Sequence, residues 1–348
     1  MQKKALNKEE VISEIASILK ERIKDNNSVQ RLAFQAWRGA NEGLELKGSP
    51  KEWFDKRFKY QFVWLEKEDY LRALVRALWL APVFAGTDFG GARQRDMAQV
   101  WTDTARGFLG EIALSKFLLE KFSVEAKLET RRGKLMEFLP TDISQIRVSG
   151  ESWRQPSLRI SIKTTKFSGR WLDLPGAQFQ HSDVFILVKI GILRQHFLAF
   201  LKAISFLKEK LFTLAEGLGE LSAEDAIRLW NEIPEFDPIP SYIAGFLLKT
   251  EITLPVHVVD VKLRGRKRKR IVITHGVGLF SPRTVRELKE IHELDPNGSL
   301  PVGVEPIIDS LTGDHFLAHS GSLKYGEENW HQLINRILGY YGEKNGEQ

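Results

Sequence analysis

The chain has 348 residues, and its share of apolar side chains suits a globular protein with a sizeable core. It contains no cysteine, which excludes disulfides, thiolate nucleophiles and cysteine-based zinc sites. The net charge of +6 equals the charge of one run with six cations in seven positions, namely Arg264, Arg266, Lys267, Arg268, Lys269 and Arg270. Such a cluster indicates contact with a polyanion.

The N-terminal part of the chain is predicted to be helical. Asn7 followed by Glu10 is the signature of a capped helix, and a second helix begins at Ser28. Ser49 followed by Pro50 predicts the start of a third. The remaining elements expected here are a helix over 68–80 that ends before Pro82, a glycine-rich loop over 84–91 and a long helix over 92–122.

After residue 122 the hydrophobic period becomes that of strands, which are predicted over 134–138, 141–148, 158–165 and 183–192. The last of these is apolar on both faces, as in a central strand that is covered on both sides. Helices are expected over 197–216, 222–231, 281–293 and 327–340. A hairpin is expected with arms at 256–263 and 270–274 and the basic run at its tip.

No window approaches the roughly 18 apolar residues of a membrane span, and the charged N-terminus lacks the apolar core of a signal peptide. We therefore expect a cytoplasmic protein without membrane contact.

Three charged residues stand out between residues 107 and 192. Glu111 lies on the apolar stripe of its helix, so its carboxylate is expected to point inward, where a bound cation would compensate it. Asp142 begins a strand and suits a hard cation as an oxygen ligand. Lys163 shares a strand face with Ser161 and could orient a metal-bound water. Taken singly, an Asp in a turn or a Lys on a strand is usually structural; their order along the chain is the signal.

That order resembles the PD-(D/E)XK superfamily of restriction-endonuclease-like nucleases. The matching motifs are Gly107-Phe108-Leu109-Gly110-Glu111-Ile112-Ala113, Thr141-Asp142 and Ser161-Ile162-Lys163, followed by the apolar strand from Asp183. A segment over 242–247 is similar to a later strand of many members. The resemblance implies that Glu111, Asp142 and the Ile162 carbonyl hold Mg²⁺ while Lys163 positions the attacking water.

The chain departs from the family at Ser161, where an acidic residue is usual. Glu111 is then the candidate that supplies the missing carboxylate, and Asp173 and Glu151 are weaker ones. Gln178 is expected to approach the lysine, as a glutamine does in some relatives. Trp171 is placed in a loop that faces DNA.

These features predict an α/β protein with a mixed central sheet flanked by helices. The expected regions are a helical part over 1–91, a nuclease core over 92–255 and an α+β part over 256–348. The expected function is Mg²⁺-dependent cleavage of double-stranded DNA by a homodimeric type II restriction enzyme. The alternatives are a non-specific repair or defence nuclease, and a DNA-binding protein with an inactive nuclease core.

Overall fold

A four-stranded mixed sheet lies at the centre of the protein. The computed structural model describes residues 7–46, 49–85, 96–131, 141–251, 256–263, 266–273, 278–280 and 315–340. The helices are α1 (Lys8–Lys20), α2 (Asn26–Glu42), α3 (Pro50–Glu52), α4 (Lys67–Ala85), α5 (Met97–Phe122), α6 (Gly176–His181), α7 (His196–Ala203), α8 (Thr213–Gly217), α9 (Ala223–Glu232) and α10 (Glu327–Ile337). The strands are β1 (Phe62–Leu65), β2 (Val124–Leu128), β3 (Ile143–Val148), β4 (Ile160–Lys166), β5 (Trp171–Pro175), β6 (Val184–Ile190), β7 (Ile239–Leu248), β8 (Val256–Leu263), β9 (Arg266–Ile273), β10 (Gly278–Phe280) and β11 (His315–His319).

The central sheet has the strand order β1-β7-β6-β4. Strand β4 is parallel to β6, and the other neighbours are antiparallel. Strands β6 and β7 are buried at every residue, which confirms the central position predicted from the doubly apolar pattern of β6. Strand β4 therefore lies at one edge of this sheet, and β1 at the other.

Helices cover both faces of the sheet. Alternate residues of β6 divide between two hydrophobic cores, because successive side chains of a strand point to opposite faces. Phe185 and Leu187 pack with α1 and α2, whereas Val184 and Ile186 pack with α4, α5 and α10. The predicted mixed α/β arrangement is thus confirmed.

The N-terminal part contains a strand as well as helices. The capping box of Asn7 and Glu10 is present, as predicted. Strand β1 was missed, because its pairing partner β7 lies far along the chain. Helix α4 continues through Pro82 instead of ending before it. The proline lies in the last turn of the helix, where its missing N–H costs the helix one backbone hydrogen bond.

Other elements differ from prediction in register or continuity. Strands β2 and β5 were not predicted. The helix expected over 197–216 is divided into α7, a π-helical segment Leu207–Phe212 and α8. Ser205, between α7 and the π-helical segment, has a φ of 59°, which breaks the helical path. The predictions for 134–138 and 281–293 lie outside the described residues.

Five of the six cations of the basic run lie within a strand and not at the predicted hairpin tip. Strands β8 and β9 pair from Val256↔Ile273 to Leu263↔Arg266, so that the second arm begins at Arg266. Arg266, Lys267, Arg268, Lys269 and Arg270 are therefore strand residues, while Arg264 lies outside the described residues. The prediction was wrong because it began the second arm of the hairpin only after the basic run, where the apolar residues start. All eight residues of β8 pair with a strand of equal length, and that strand includes the basic residues.

A buried ionic cluster of Glu45, Arg57 and Lys189 lies beneath the face that α1 and α2 cover. Glu45 accepts a hydrogen bond from the Lys189 ammonium at 2.6 Å and another from the Trp53 indole at 2.7 Å. The Arg57 guanidinium lies 3.6 Å from the same carboxylate. Burial alone would raise the pKa of Glu45, but the charges of Arg57 and Lys189 outweigh it and lower that pKa to about 2.

None of the helices in the described ranges combines the length and apolar character that crossing a bilayer requires.

Candidate functional site

The candidate site lies at the free edge of β4. The Asp142 N–H donates to the Ile160 carbonyl at 2.8 Å, and the Asp142 carboxylate accepts the Ile162 N–H at 2.6 Å. Thr141 Oγ1 accepts the Ile160 N–H at 3.2 Å. These contacts fix Asp142 against the edge strand just before β3 begins. The N–H and C=O of one strand residue point to the same side, so the Ile162 carbonyl also faces this edge.

Lys163, the site lysine, is partly buried on β4 and points away from the core that α5 covers. Ile160 and Ile162 belong to that core, and the alternation of the strand places Ser161 and Lys163 on the opposite face. The ammonium of Lys163 donates a hydrogen bond to Gln178 on α6. Burial lowers the pKa of Lys163, and the negative charges of nearby carboxylates oppose that shift. Gln178 thus approaches the lysine, as predicted.

Glu111 reaches the same place from α5. Burial raises its pKa well above the ordinary value, and the neighbouring charge of Asp142 raises it further. Burial likewise raises the pKa of Asp142. Lys163 acts on both carboxylates as a compensating positive charge. The structure therefore places the three residues that the sequence singled out from separate elements within electrostatic reach of one another.

A glycine sets the distance between α5 and β4. A Cβ at Gly110 would overlap the Thr164 side chain, so only glycine permits this contact. Thr164 Oγ1 donates to the Gly107 carbonyl at 3.0 Å and ties the two elements together. A Cβ at Gly107, in contrast, would meet no atom within 4 Å. This packing holds Glu111 one residue beyond Gly110, next to the β4 edge.

Arg76 on α4 is a site residue that the sequence analysis missed. Its guanidinium lies 3.1 Å from Glu111 Oε2, and both side chains are largely buried. It also stacks on the Phe108 ring, with 4.0 Å from the guanidinium carbon to the ring centroid. An arginine within an amphipathic helix carries no local signal of such a contact, because the partner lies on another helix.

The donor set fits a hard divalent cation. Mg²⁺ is usually held by one or two carboxylates, with waters and substrate phosphate completing six ligands. Glu111, Asp142 and the Ile162 carbonyl provide such a partial set. Glu111 Oε2 is buried, and its contact with the Arg76 guanidinium at 3.1 Å is an ion pair without good hydrogen-bond geometry. No group of three His, Cys, Asp or Glu suited to a metal is present in the described ranges, in keeping with a serine at position 161.

Of the other residues that the sequence suggested for the site, some lie near it and others do not. The charge of Asp173 on β5 acts on the site lysine. Glu151 instead pairs with Arg154 at 3.2 Å and contacts Tyr340, so it serves another part of the surface. Ser161 is buried, with 4% of its surface exposed. The prediction of a DNA-facing loop at Trp171 is wrong: this residue begins β5, pairs with His319 of β11 and is buried. The local sequence gave no indication of that distant partner.

No known protein family, curated protein or solved structure matches this chain at a significant level.

Proposed function

We propose that this protein is a Mg²⁺-dependent endonuclease that hydrolyses phosphodiester bonds of double-stranded DNA on a PD-(D/E)XK-type core. The observation that supports it best is the meeting of Glu111, Asp142 and Lys163 at the free edge of β4. Two partly buried carboxylates that repel each other beside an ammonium are costly for folding alone. Shifted pKa values that cluster in this way are typical of functional sites.

Each residue has a distinct role in this proposal. Glu111, Asp142 and the Ile162 carbonyl would hold the ion. When bound, Mg²⁺ neutralises charge on the phosphate and lowers the pKa of a coordinated water. Lys163 orients the attacking water and donates a hydrogen bond to the phosphoryl oxygen that gains charge. Gln178 holds the lysine ammonium in position.

The finer form of the proposal is a homodimeric type II restriction endonuclease of the cytoplasm. The basic run Arg266 to Arg270 on β9 supports it, because it supplies cations in an element separate from the cleavage site. Phosphate contacts of this kind position a protein on the duplex, while other contacts read the bases. A dimer would present one site to each strand of a palindrome.

A second candidate function is DNA binding by a core that has lost catalysis. The observation in its favour is Ser161, which is buried where the resembled family carries an acid and leaves the site with two carboxylates. Under this alternative the protein binds duplex DNA with the same residues but leaves it intact.

Supercoiled plasmid incubated with Mg²⁺ or with EDTA tests these functions. The proposal predicts Mg²⁺-dependent cleavage that is lost in Asp142→Asn, whose side chain can still accept the Ile162 N–H. Lys20→Ala, at an exposed lysine remote from the site, is the matched control and should cleave normally. Discrete fragments support a restriction enzyme, and a smear supports a non-specific nuclease. Intact plasmid with normal binding supports the inactive core. Cleavage of RNA in place of DNA would refute the substrate assignment.

A further inference from the structure

A second feature lies between α4, α5, the C-terminal end of β4 and the segment after β6. It is a cavity of about 210 Å³ lined by three cations, Arg106, Lys166 and Arg194, and by Tyr70 among other uncharged residues. No carboxylate is among the residues that line it. We refer to it as the basic pocket.

The cations of the basic pocket are only partly neutralised. Arg106 pairs with Asp103 at 2.6 Å. Lys166 and Arg194 are exposed, and neither forms an ion pair with a carboxylate among the residues that the structure describes. Two like charges that converge on one cavity repel each other unless an anion lies between them. The pocket therefore has the charge pattern of an anion site.

A comparison with another cavity shows that this pattern is not general. A cavity of about 460 Å³ beside Thr141 is also lined by two arginines, Arg131 and Arg159. Arg131 forms an ion pair with Glu129 at 2.7 Å, and Arg159 one with Asp183 at 2.8 Å. Its cations are thus already neutralised by protein carboxylates, whereas Lys166 and Arg194 of the basic pocket have no carboxylate partner in the described ranges.

Tyr70 adds a neutral donor to the basic pocket. Burial raises the pKa of its phenol to about 12, and the nearby charge of Arg106 opposes that shift. The hydroxyl therefore keeps its proton at neutral pH and can donate a hydrogen bond. Cations together with a neutral hydroxyl are donors of the kind that contact phosphate oxygens of DNA.

The position of the basic pocket relates it to the candidate site. Glu111 lies at the Lys163 end of the α5–β4 contact and Arg106 at the Lys166 end, so α5 and β4 run in opposite directions. The alternation of the strand places Lys166 with Thr164 on the face that α5 covers, and Lys163 on the opposite face, so the basic pocket and the site lysine lie at different ends and on different faces of β4.

We propose that the basic pocket binds a backbone phosphate of the DNA. This inference rests on the proposed function, since it takes DNA as the ligand. It adds a phosphate contact that positions the duplex on the protein, in addition to those of the basic run. Lys166 and Arg194 make the contacts, and Arg106 supports them from the helix.

The test is the salt dependence of binding to a short fluorescein-labelled DNA duplex in EDTA, where no cleavage occurs. Each lost phosphate contact reduces the magnitude of the slope of log K against log salt by about 1, and the two side chains hold one phosphate, so Lys166→Gln/Arg194→Gln should reduce it by about 1. The charge-preserving variant Lys166→Arg/Arg194→Lys should keep the wild-type slope. Lys20→Gln/Lys210→Gln removes two exposed cations elsewhere and is the matched control, also with an unchanged slope.

The outcomes separate this inference from the proposed function. If wild-type protein cleaves with Mg²⁺ but the Lys166→Gln/Arg194→Gln slope is unchanged, the basic pocket is refuted and the nuclease stands. If the slope falls but wild-type protein does not cleave, the pocket stands and the nuclease is refuted. A fall of equal size in the control variant would also overturn the pocket, because the effect would then be general charge. Wild-type protein that does not bind DNA would overturn both.

Discussion

Replacement of Glu45 by glutamine should destabilise the protein more than any surface substitution. Glu45, Arg57 and Lys189 are all buried, and the variant leaves two cations without their carboxylate. Breaking a buried ion pair by removing one partner costs about 3–5 kcal/mol. The pKa of Glu45 gives an independent figure, because a shift from 4.5 to about 2 corresponds to about 3 kcal/mol.

The lowered pKa also fixes the pH dependence. A carboxylate with a depressed folded-state pKa stabilises the fold fully above its unfolded pKa, and this contribution is lost as pH falls through the folded value. Wild-type stability should therefore decline between about pH 4.5 and 2 through this residue, and the Glu45→Gln variant should lack that part of the decline.

Urea unfolding at pH 7, followed by far-UV circular dichroism, measures the first effect, and a series toward low pH measures the second. Glu14→Gln at an exposed position of α1 is the control and should change the free energy of unfolding by less than about 0.5 kcal/mol. The double variant Glu45→Gln/Lys189→Met should recover part of the loss, since it removes one uncompensated charge. A loss under about 1 kcal/mol for Glu45→Gln would refute this account of the cluster.

Three further predictions concern the candidate site. Gly110→Ala should destabilise the protein by about 1–3 kcal/mol in urea unfolding, because the added methyl group overlaps a side chain of β4. Gly107→Ala, whose methyl group would meet open space, should stabilise the protein by up to about 1 kcal/mol. Equal effects of the two substitutions would contradict the α5–β4 packing. Gln178→Ala should lower kcat about tenfold with little change in KM, because a tenfold fall corresponds to the loss of about one net hydrogen bond, here the one to the site lysine. A change in KM alone would argue against this role of Gln178. Burial raises the pKa of Glu111, so protons compete with Mg²⁺, and the Mg²⁺ concentration for half-maximal cleavage should fall as pH rises. Arg76→Gln removes a positive charge that lowers the pKa of Glu111, so the fall in the required Mg²⁺ concentration should occur at higher pH. An unchanged pH profile would contradict the pairing of Arg76 with Glu111.

Local features of the sequence predicted part of the fold. The capping box at Asn7 and the apolar pattern of β6 depend on neighbouring residues and were confirmed. Strands β1 and β5 were missed because each is short and forms only with a partner far along the chain. The placement of Trp171 in a loop was wrong for the same reason.

The candidate site shows the same division. Strand alternation predicted the shared face of Ser161 and Lys163, and helix periodicity predicted the inward direction of Glu111. The contact of Arg76 with Glu111 could not be predicted, because it depends on how α4 lies against α5. The basic pocket likewise gathers Arg106, Lys166 and Arg194 from three separate segments, none of which has a charge run of its own.

Under the proposed function, Asp142 and the site lysine carry out phosphodiester hydrolysis. The most direct test is single-turnover cleavage of plasmid with Mg²⁺ and excess enzyme, because product release does not limit the rate. We predict that Asp142→Asn and Lys163→Ala each reduce the rate by at least about a hundredfold while DNA binding in EDTA is retained. Cleavage by both variants at the wild-type rate would contradict the account.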